Sequence, residues 1–153
     1  MRSDYSGIKF LIVDDESDIR DFLRWEFEDR GGKVFDAEDM ESGLQTFKKV
    51  KPDFSLLDIR MPNGTGVELL TRCKQVYPEL SIALMTGFTE ISTIQIYAAG
   101  ACDIFMKPIQ YKLLFPRVDR ELLPLEEKFI ITGERYIHAE IVVKRNFEEC
   151  QKT

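Results

Sequence analysis

Histidine is nearly absent from this chain, with His138 the only one. Set in a β-like segment, a lone histidine reads as structural rather than catalytic. Cysteine is scarce too. Cys73, Cys102 and Cys150 lie in unrelated contexts with no paired spacing for zinc or a redox motif, so they read as reduced thiols of a cytosolic protein. No apolar run approaches the roughly 20 residues that span a bilayer, and the N-terminal MRSDYSGIKF lacks an apolar signal core. A soluble, cytoplasmic protein with no membrane role is expected. Basic charge is in deficit: the formal net charge is −6 and the pI is near 4.9. A nucleic-acid-binding domain usually has a pI above about 9, so nucleic acid is excluded as a partner and cations or basic partners are favoured. A second full domain is excluded by length, since 153 residues with 44% hydrophobic composition suit one core of about 100–200 residues.

What the chain does have is a series of short apolar runs that end on polar side chains. The clearest is Phe54-Ser55-Leu56-Leu57-Asp58, followed by Ile59-Arg60-Met61-Pro62-Asn63-Gly64. An apolar run between turn signals reads as a buried strand of a parallel sheet, with Asp58 at its carboxyl end. Open α/β sheets place their ligands at that edge. Pro62 cannot continue a strand and Asn63-Gly64 is a strong turn dipeptide, so the chain leaves the sheet directly after Asp58.

The other elements follow the same alternation. Ile8 to Val13 is a strand candidate that stops at Asp14-Asp15-Glu16, and Ile19, Phe22, Leu23 and Phe27 then recur at helical spacing, with Ser17 as cap and Gly31-Gly32 as stop. Lys33 to Ala37 is a strand. Met40, Gly43, Leu44 and Phe47 give a second helical stripe closed by Lys51-Pro52, and the Lys48, Lys49, Lys51 run suits a solvated helix end. Val67, Leu70, Cys73 and Tyr77 mark a helix ended by Pro78, and Ser81 to Met85 is a strand that reaches Thr86-Gly87. A helix through Ile91, Ile94 and Ala98 ends at Gly100, and the strand Cys102 to Met106 closes on Lys107-Pro108. Gln110 to Leu123 is amphipathic but contains Pro116; an interior proline costs about 3 kcal/mol or more, so this helix should be kinked or should start late. Five strands alternating with helices predict an α/β fold with a doubly wound parallel sheet.

That fold brings four strand ends to one crevice: Asp14-Asp15, Asp58, Thr86 and Lys107. Three carboxylates cannot all stay ionised together in a low dielectric without a compensating charge, and a hard divalent cation with oxygen ligands supplies one. Mg²⁺ is the expected metal. A carboxylate can act as a nucleophile toward phosphorus, and phosphoryl transfer mainly needs cations and donors around the charged oxygens. Lys107, Thr86 and Mg²⁺ suit that task.

In combination, Asp14-Asp15, Asp58 within DIRMPNGTG, Thr86-Gly87 and Lys107-Pro108 resemble the receiver domain of bacterial two-component response regulators, from Met1 to about Pro124. The resemblance implies the flavodoxin-like receiver fold over 1–124. It also implies Asp58 as phosphoacceptor, with Asp15 as a direct Mg²⁺ ligand, Asp14 as a ligand through water and the Arg60 backbone carbonyl as another. Thr86 and Lys107 are implied to hold phosphoryl oxygens. The donor histidine must lie on another protein, a histidine kinase or phosphotransfer protein, and the output would be contact with a downstream protein, as in single-domain receivers of chemotaxis or phosphorelay type. Such a chain is a phosphoacceptor switch rather than an enzyme. In the family the residues two after the acceptor and two after the threonine, here Arg60 and Phe88, border the path of the hydrolytic water, and the Phe88 ring predicts slow autodephosphorylation. Two departures stand out: family members usually carry Tyr or Phe three residues before the lysine, where this chain has Ile104 with Phe105 beside it, and Pro116 interrupts the final helix. They keep open a pseudo-receiver, an interaction scaffold without regulated phosphorylation. A phosphatase with an aspartyl nucleophile would carry a second acid two residues on, where this chain has Arg60.

Residues 125–153 are too few for a domain but rich in β-branched and aromatic side chains. Lys128 to Thr132 and Arg135 to Val143 favour strand, and Gly133-Glu134 fits a two-residue type II′ turn. A short C-terminal β-hairpin is expected. Because an isolated hairpin is marginal in water and its edges can template pairing, the chain is predicted to form a homodimer held partly by this extension.

Overall fold

Alternation along the strands sorts the apolar side chains onto two faces of one sheet. In β1 (Lys9–Val13), Phe10 and Ile12 join the same cluster as Phe54 and Leu56 of β3 (Phe54–Asp58), whereas Leu11 and Val13 join Leu57 in the other. The computed structural model describes residues 4–87 and 92–124. Phe88, Ile91, His138, Cys150 and the hairpin expected within 125–153 lie outside the described residues.

The sheet is completed by β2 (Lys33–Ala37), β6 (Ser81–Thr86) and β7 (Asp103–Met106), in the order β2-β1-β3-β6-β7 with every pair parallel. Two intervening short strands, β4 (Arg60–Met61) and β5 (Gly64–Thr65), form a small antiparallel hairpin of their own around Pro62-Asn63, where Asn63 adopts φ 66°. The sequence predicted a loop there.

Helix α1 (Ser17–Glu28) puts Leu23 and Phe27 against one sheet face, joined by Leu114, Phe115 and Val118 of α5 (Tyr111–Glu121). The opposite face is covered by α2 (Met40–Val50), α3 (Gly66–Val76) and α4 (Thr93–Ala98), through Leu44, Phe47, Leu69, Leu70, Cys73 and Ile96. Burial pushes the Cys73 thiol up to about 12, which makes it an inert core residue. Among the described residues no helix is long and apolar enough to cross a membrane.

Three local expectations need correction. Ser17 does not cap α1; it is the first helical residue, Glu16 holds the cap position without a side-chain bond, and the turn is built by Asp14 Oδ1 accepting the Glu16 amide at 2.9 Å. In α4 the core residue is Ile96, while Ile94 is 78% exposed; six residues are too few for a periodicity to declare itself. Of the two outcomes expected for Pro116, a kink or a late start, the late start is excluded, because the helix is already running at Tyr111 and Pro116 is its sixth residue. Packing outweighs the proline penalty: the neighbouring Phe115 ring lies 5.6 Å from Phe27 and 6.2 Å from Tyr5, with the Arg30 guanidinium 3.6 Å above it.

Candidate functional site

Sheet register assembles the site. Val13 is level with Leu57, so Asp14 and Asp58 leave neighbouring strands side by side, and Thr86 is level with Met106, so Lys107 follows beside it. The Lys107 amide donates to the Thr86 carbonyl at 2.7 Å, and the Ile59 amide to the Met85 carbonyl at 3.0 Å, which holds the ends of β3, β6 and β7 together. The chain turns sharply after Asp58 because Gly66 packs onto it. The Gly66 amide donates to the Ile59 carbonyl at 2.9 Å, and a Cβ at Gly66 would overlap the Asp58 carbonyl oxygen, so only glycine fits.

The result is a cleft of about 330 Å³ lined by Asp15, Glu16, Asp58, Ile59, Arg60, Thr86, Gly87 and Lys107. Asp14 is fully buried and reaches the cleft through Lys107, whose Nζ lies 2.7 Å from Asp14 Oδ2, 3.2 Å from Asp58 Oδ1 and 3.7 Å from Glu16 Oε1. Burial, reinforced by the charge of Asp14, raises the Asp58 carboxyl to about 6 against the pull of Lys107. Burial alone would lower the Lys107 ammonium; its hydrogen bond to Asp14 and the charges of Asp14 and Asp58 raise it instead.

The residues the sequence singled out as acceptor, metal ligands and phosphoryl-oxygen holders come to this edge: Asp14, Asp15, Asp58, Thr86 and Lys107, with Arg60 on the cleft wall. The tightest acidic group differs from the expected one. Carboxylate oxygens of Asp14, Asp15 and Glu16 lie within 4.8 Å of one another, and Asp58 is not part of that group; it is joined to Asp14 by the shared Lys107 instead. The donors are all hard oxygens, crowded beyond what one lysine neutralises, and so they fit a divalent cation such as Mg²⁺.

Sequence reasoning gave no role to Glu16, although it stands in the acidic run, nor to Arg20, whose Nη1 donates to the Asp14 carbonyl at 2.6 Å. The signal for Arg20 was only its position on the polar side of a predicted helix. Its second partner, Asp36, comes from a different element.

The chain is similar to known proteins. The chain matches the response regulator receiver domain over residues 10–119. It is 34% identical over 119 residues to sporulation initiation phosphotransferase F of Bacillus subtilis, covering 77% of this chain and 95% of that protein. It is 39% identical over 98 residues to the KDP operon transcriptional regulatory protein KdpE of Escherichia coli, covering 64% of this chain but only 44% of the relative. Among solved structures, a CheY-like receiver domain protein from Methanospirillum hungatei superimposes with a TM-score of 0.73 at 28% identity, over 76% of this chain and 94% of that one. Receivers in general accept phosphate at an acidic pocket in two-component signalling and interact with histidine kinases or phosphotransferases. With the acidic cleft at the carboxyl edge of a 2-1-3-6-7 sheet and a family match across most of its length, this chain belongs to the response regulator receiver domain family.

Proposed function

We propose that the chain is a signalling switch that takes a phosphoryl group onto Asp58 from a phosphohistidine of a histidine kinase or phosphotransfer protein, and signals by contact with a downstream protein. The observation that carries this is the half-neutralised pair at the cleft: a buried Asp58 carboxylate 3.2 Å from an ammonium that it shares with Asp14. An Asp58 oxygen forms the bond to phosphorus as the donor's nitrogen–phosphorus bond breaks, and the electron pair of that bond returns to the imidazole nitrogen. Lys107 is poised to follow a phosphoryl oxygen, and the Thr86 hydroxyl suits a second one. Asp15, the Asp58 carboxylate and the Arg60 carbonyl would hold Mg²⁺, with Asp14 acting through water. When bound, the cation supplies charge neutralisation for the carboxylates and the phosphoryl oxygens.

Incubation with Mg²⁺ and acetyl phosphate, followed by intact-protein mass measurement, tests the proposal. A single phosphoryl adduct in wild type that is absent from Asp58→Asn is the expected result, and an adduct surviving that substitution would refute Asp58 as acceptor. Ile104 favours a second function, that of an interaction module independent of phosphorylation. It stands where the family usually has an aromatic residue and packs on the α2–α3 side, while Phe105 is buried on the other face. Wild type taking no adduct would select that alternative.

A further inference from the structure

The acidic turn is held from outside the cleft by an ion-pair chain along the α1–β2 edge. Arg20, with 14% of its side chain exposed, uses both sides of its planar fork: Nε donates to Asp36 Oδ2 at 3.1 Å and Nη1 to the Asp14 carbonyl at 2.6 Å. Asp36 is held in turn by Arg24, whose Nη2 donates to Oδ1 at 2.6 Å while its Nη1 donates to the Val34 carbonyl at 2.9 Å. The Asp14 carbonyl belongs to the peptide that joins Asp14 to Asp15. Fixing that carbonyl fixes the plane of the peptide, and with it the direction in which Asp15 leaves the backbone.

We infer that Arg20 is a positioning residue for the cation site: clamped by Asp36, it sets the Asp14–Asp15 peptide so that the Asp15 carboxylate faces the cleft. This rests on the phosphoacceptor proposal above for the identity of the cation. The other restraints on the turn are the Asp14 amide donating to the Ala37 carbonyl at 3.1 Å, the Glu16 amide on Asp14 Oδ1 at 2.9 Å, and Lys107 on Asp14 Oδ2 at 2.7 Å. The Ala37 and Lys107 bonds act on Asp14 before its carbonyl or on its side chain, and the Glu16 bond closes the turn across Asp15, so among these Arg20 is the one that bonds the Asp14 carbonyl itself. An ammonium could replace one of the two Arg20 bonds but not both at the fork's geometry.

Arg20→Met and Arg24→Met form a matched pair, since each removes one positive charge and one bond to Asp36 from the same helix. Mg²⁺ affinity is read by calorimetric titration, and exchange of the Glu16 amide by NMR in metal-free protein. Arg20→Met should bind Mg²⁺ roughly tenfold more weakly, as when a group supporting a metal ligand is removed, and its Glu16 amide should exchange faster. Arg24→Met, which removes a partly exposed pair, should stay within about twofold of wild type. Loss of positive charge by itself would tighten Mg²⁺ binding, so weakening has the opposite sign to a purely Coulombic effect. Equal affinities in the two variants, or tighter binding by Arg20→Met, would overturn the inference. Should Arg20→Met fail to fold, Arg20→Lys keeps the charge while losing the fork, and affinity equal to wild type in that variant would overturn it too. A wild type that binds no Mg²⁺ sinks the phosphoacceptor proposal instead, and the amide exchange rates of the metal-free proteins still decide whether Arg20 holds the turn.

Discussion

At Asp58, burial and the charge of Asp14 oppose ionisation more strongly than Lys107 favours it, and this gives the metal-free protein a measurable pH dependence. The carboxyl lies at about 6 in the fold against an ordinary value of 3.8, so between those values the folded chain keeps a proton that the unfolded chain has lost. Stability from this group therefore falls as pH rises from about 4 to about 6 and stays lost above that range. The full difference is worth roughly 3 kcal/mol. Asn cannot ionise but gives up the charge contact with Lys107 at 3.2 Å, so Asp58→Asn in EDTA should be more stable than wild type by about 1–2 kcal/mol above pH 6. The gap should close below pH 4, where wild type is protonated in both states. Urea melts at a series of pH values provide the check, and a variant less stable than wild type throughout would contradict this electrostatic account. Mg²⁺ should narrow the gap by stabilising the Asp58 carboxylate of wild type.

Among the elements, the turn from β3 through the β4–β5 hairpin into α3 couples fold to chemistry most tightly, because the first residue of α3 touches the backbone of the acceptor. Gly66→Ala must push α3 off Asp58 and Ile59, an overpacking expected to cost about 1–3 kcal/mol. It should also slow acceptance of phosphate from acetyl phosphate by displacing the Asp58 backbone. Gly43→Ala is the comparison: there the added carbon meets Val13 and Leu69 side chains at 3.1–3.2 Å, which can yield, and phosphorylation should be nearly unchanged. Equal rates in the two variants would separate Gly66 from the chemistry. The positions that made the site legible in the sequence share one property. Asp14, Asp58 and Lys107 each directly follow or end an apolar run, so strand and functional residue announce each other. Arg20 and Asp36 carry no such mark, because their meeting depends on how α1 lies across β2. The late start considered for Pro116 fails for a similar reason: propensity is local, while the Phe115 cluster that outweighs it draws on Tyr5 and Phe27 from two distant stretches.

For the whole molecule, the 2-1-3-6-7 order follows from the strand–helix alternation that the sequence displays, and both faces of the sheet are covered by helices within residues 4–124. The helices that cover the described sheet all precede residues 125–153. Those residues carry Phe129, Ile130, Ile131, Tyr136, Ile137, Ile141, Val142 and Val143 in a short span, more apolar surface than a solvated tail tolerates. A β-hairpin there would pair Ile131 with Tyr136 and Ile130 with Ile137, giving both of its faces apolar side chains and leaving its outer edges unpaired. Association with a second copy would cover that surface and those edges at once. The full chain is therefore predicted to be a homodimer, and a chain ending at Pro124 a folded monomer that still accepts phosphate on Asp58. Light scattering on both, with acetyl phosphate labelling of the shorter chain, provides the measurement. A monomeric full chain, or a shortened chain that dimerises equally well, would remove the extension from assembly, and loss of labelling on truncation would show that the receiver fold needs it.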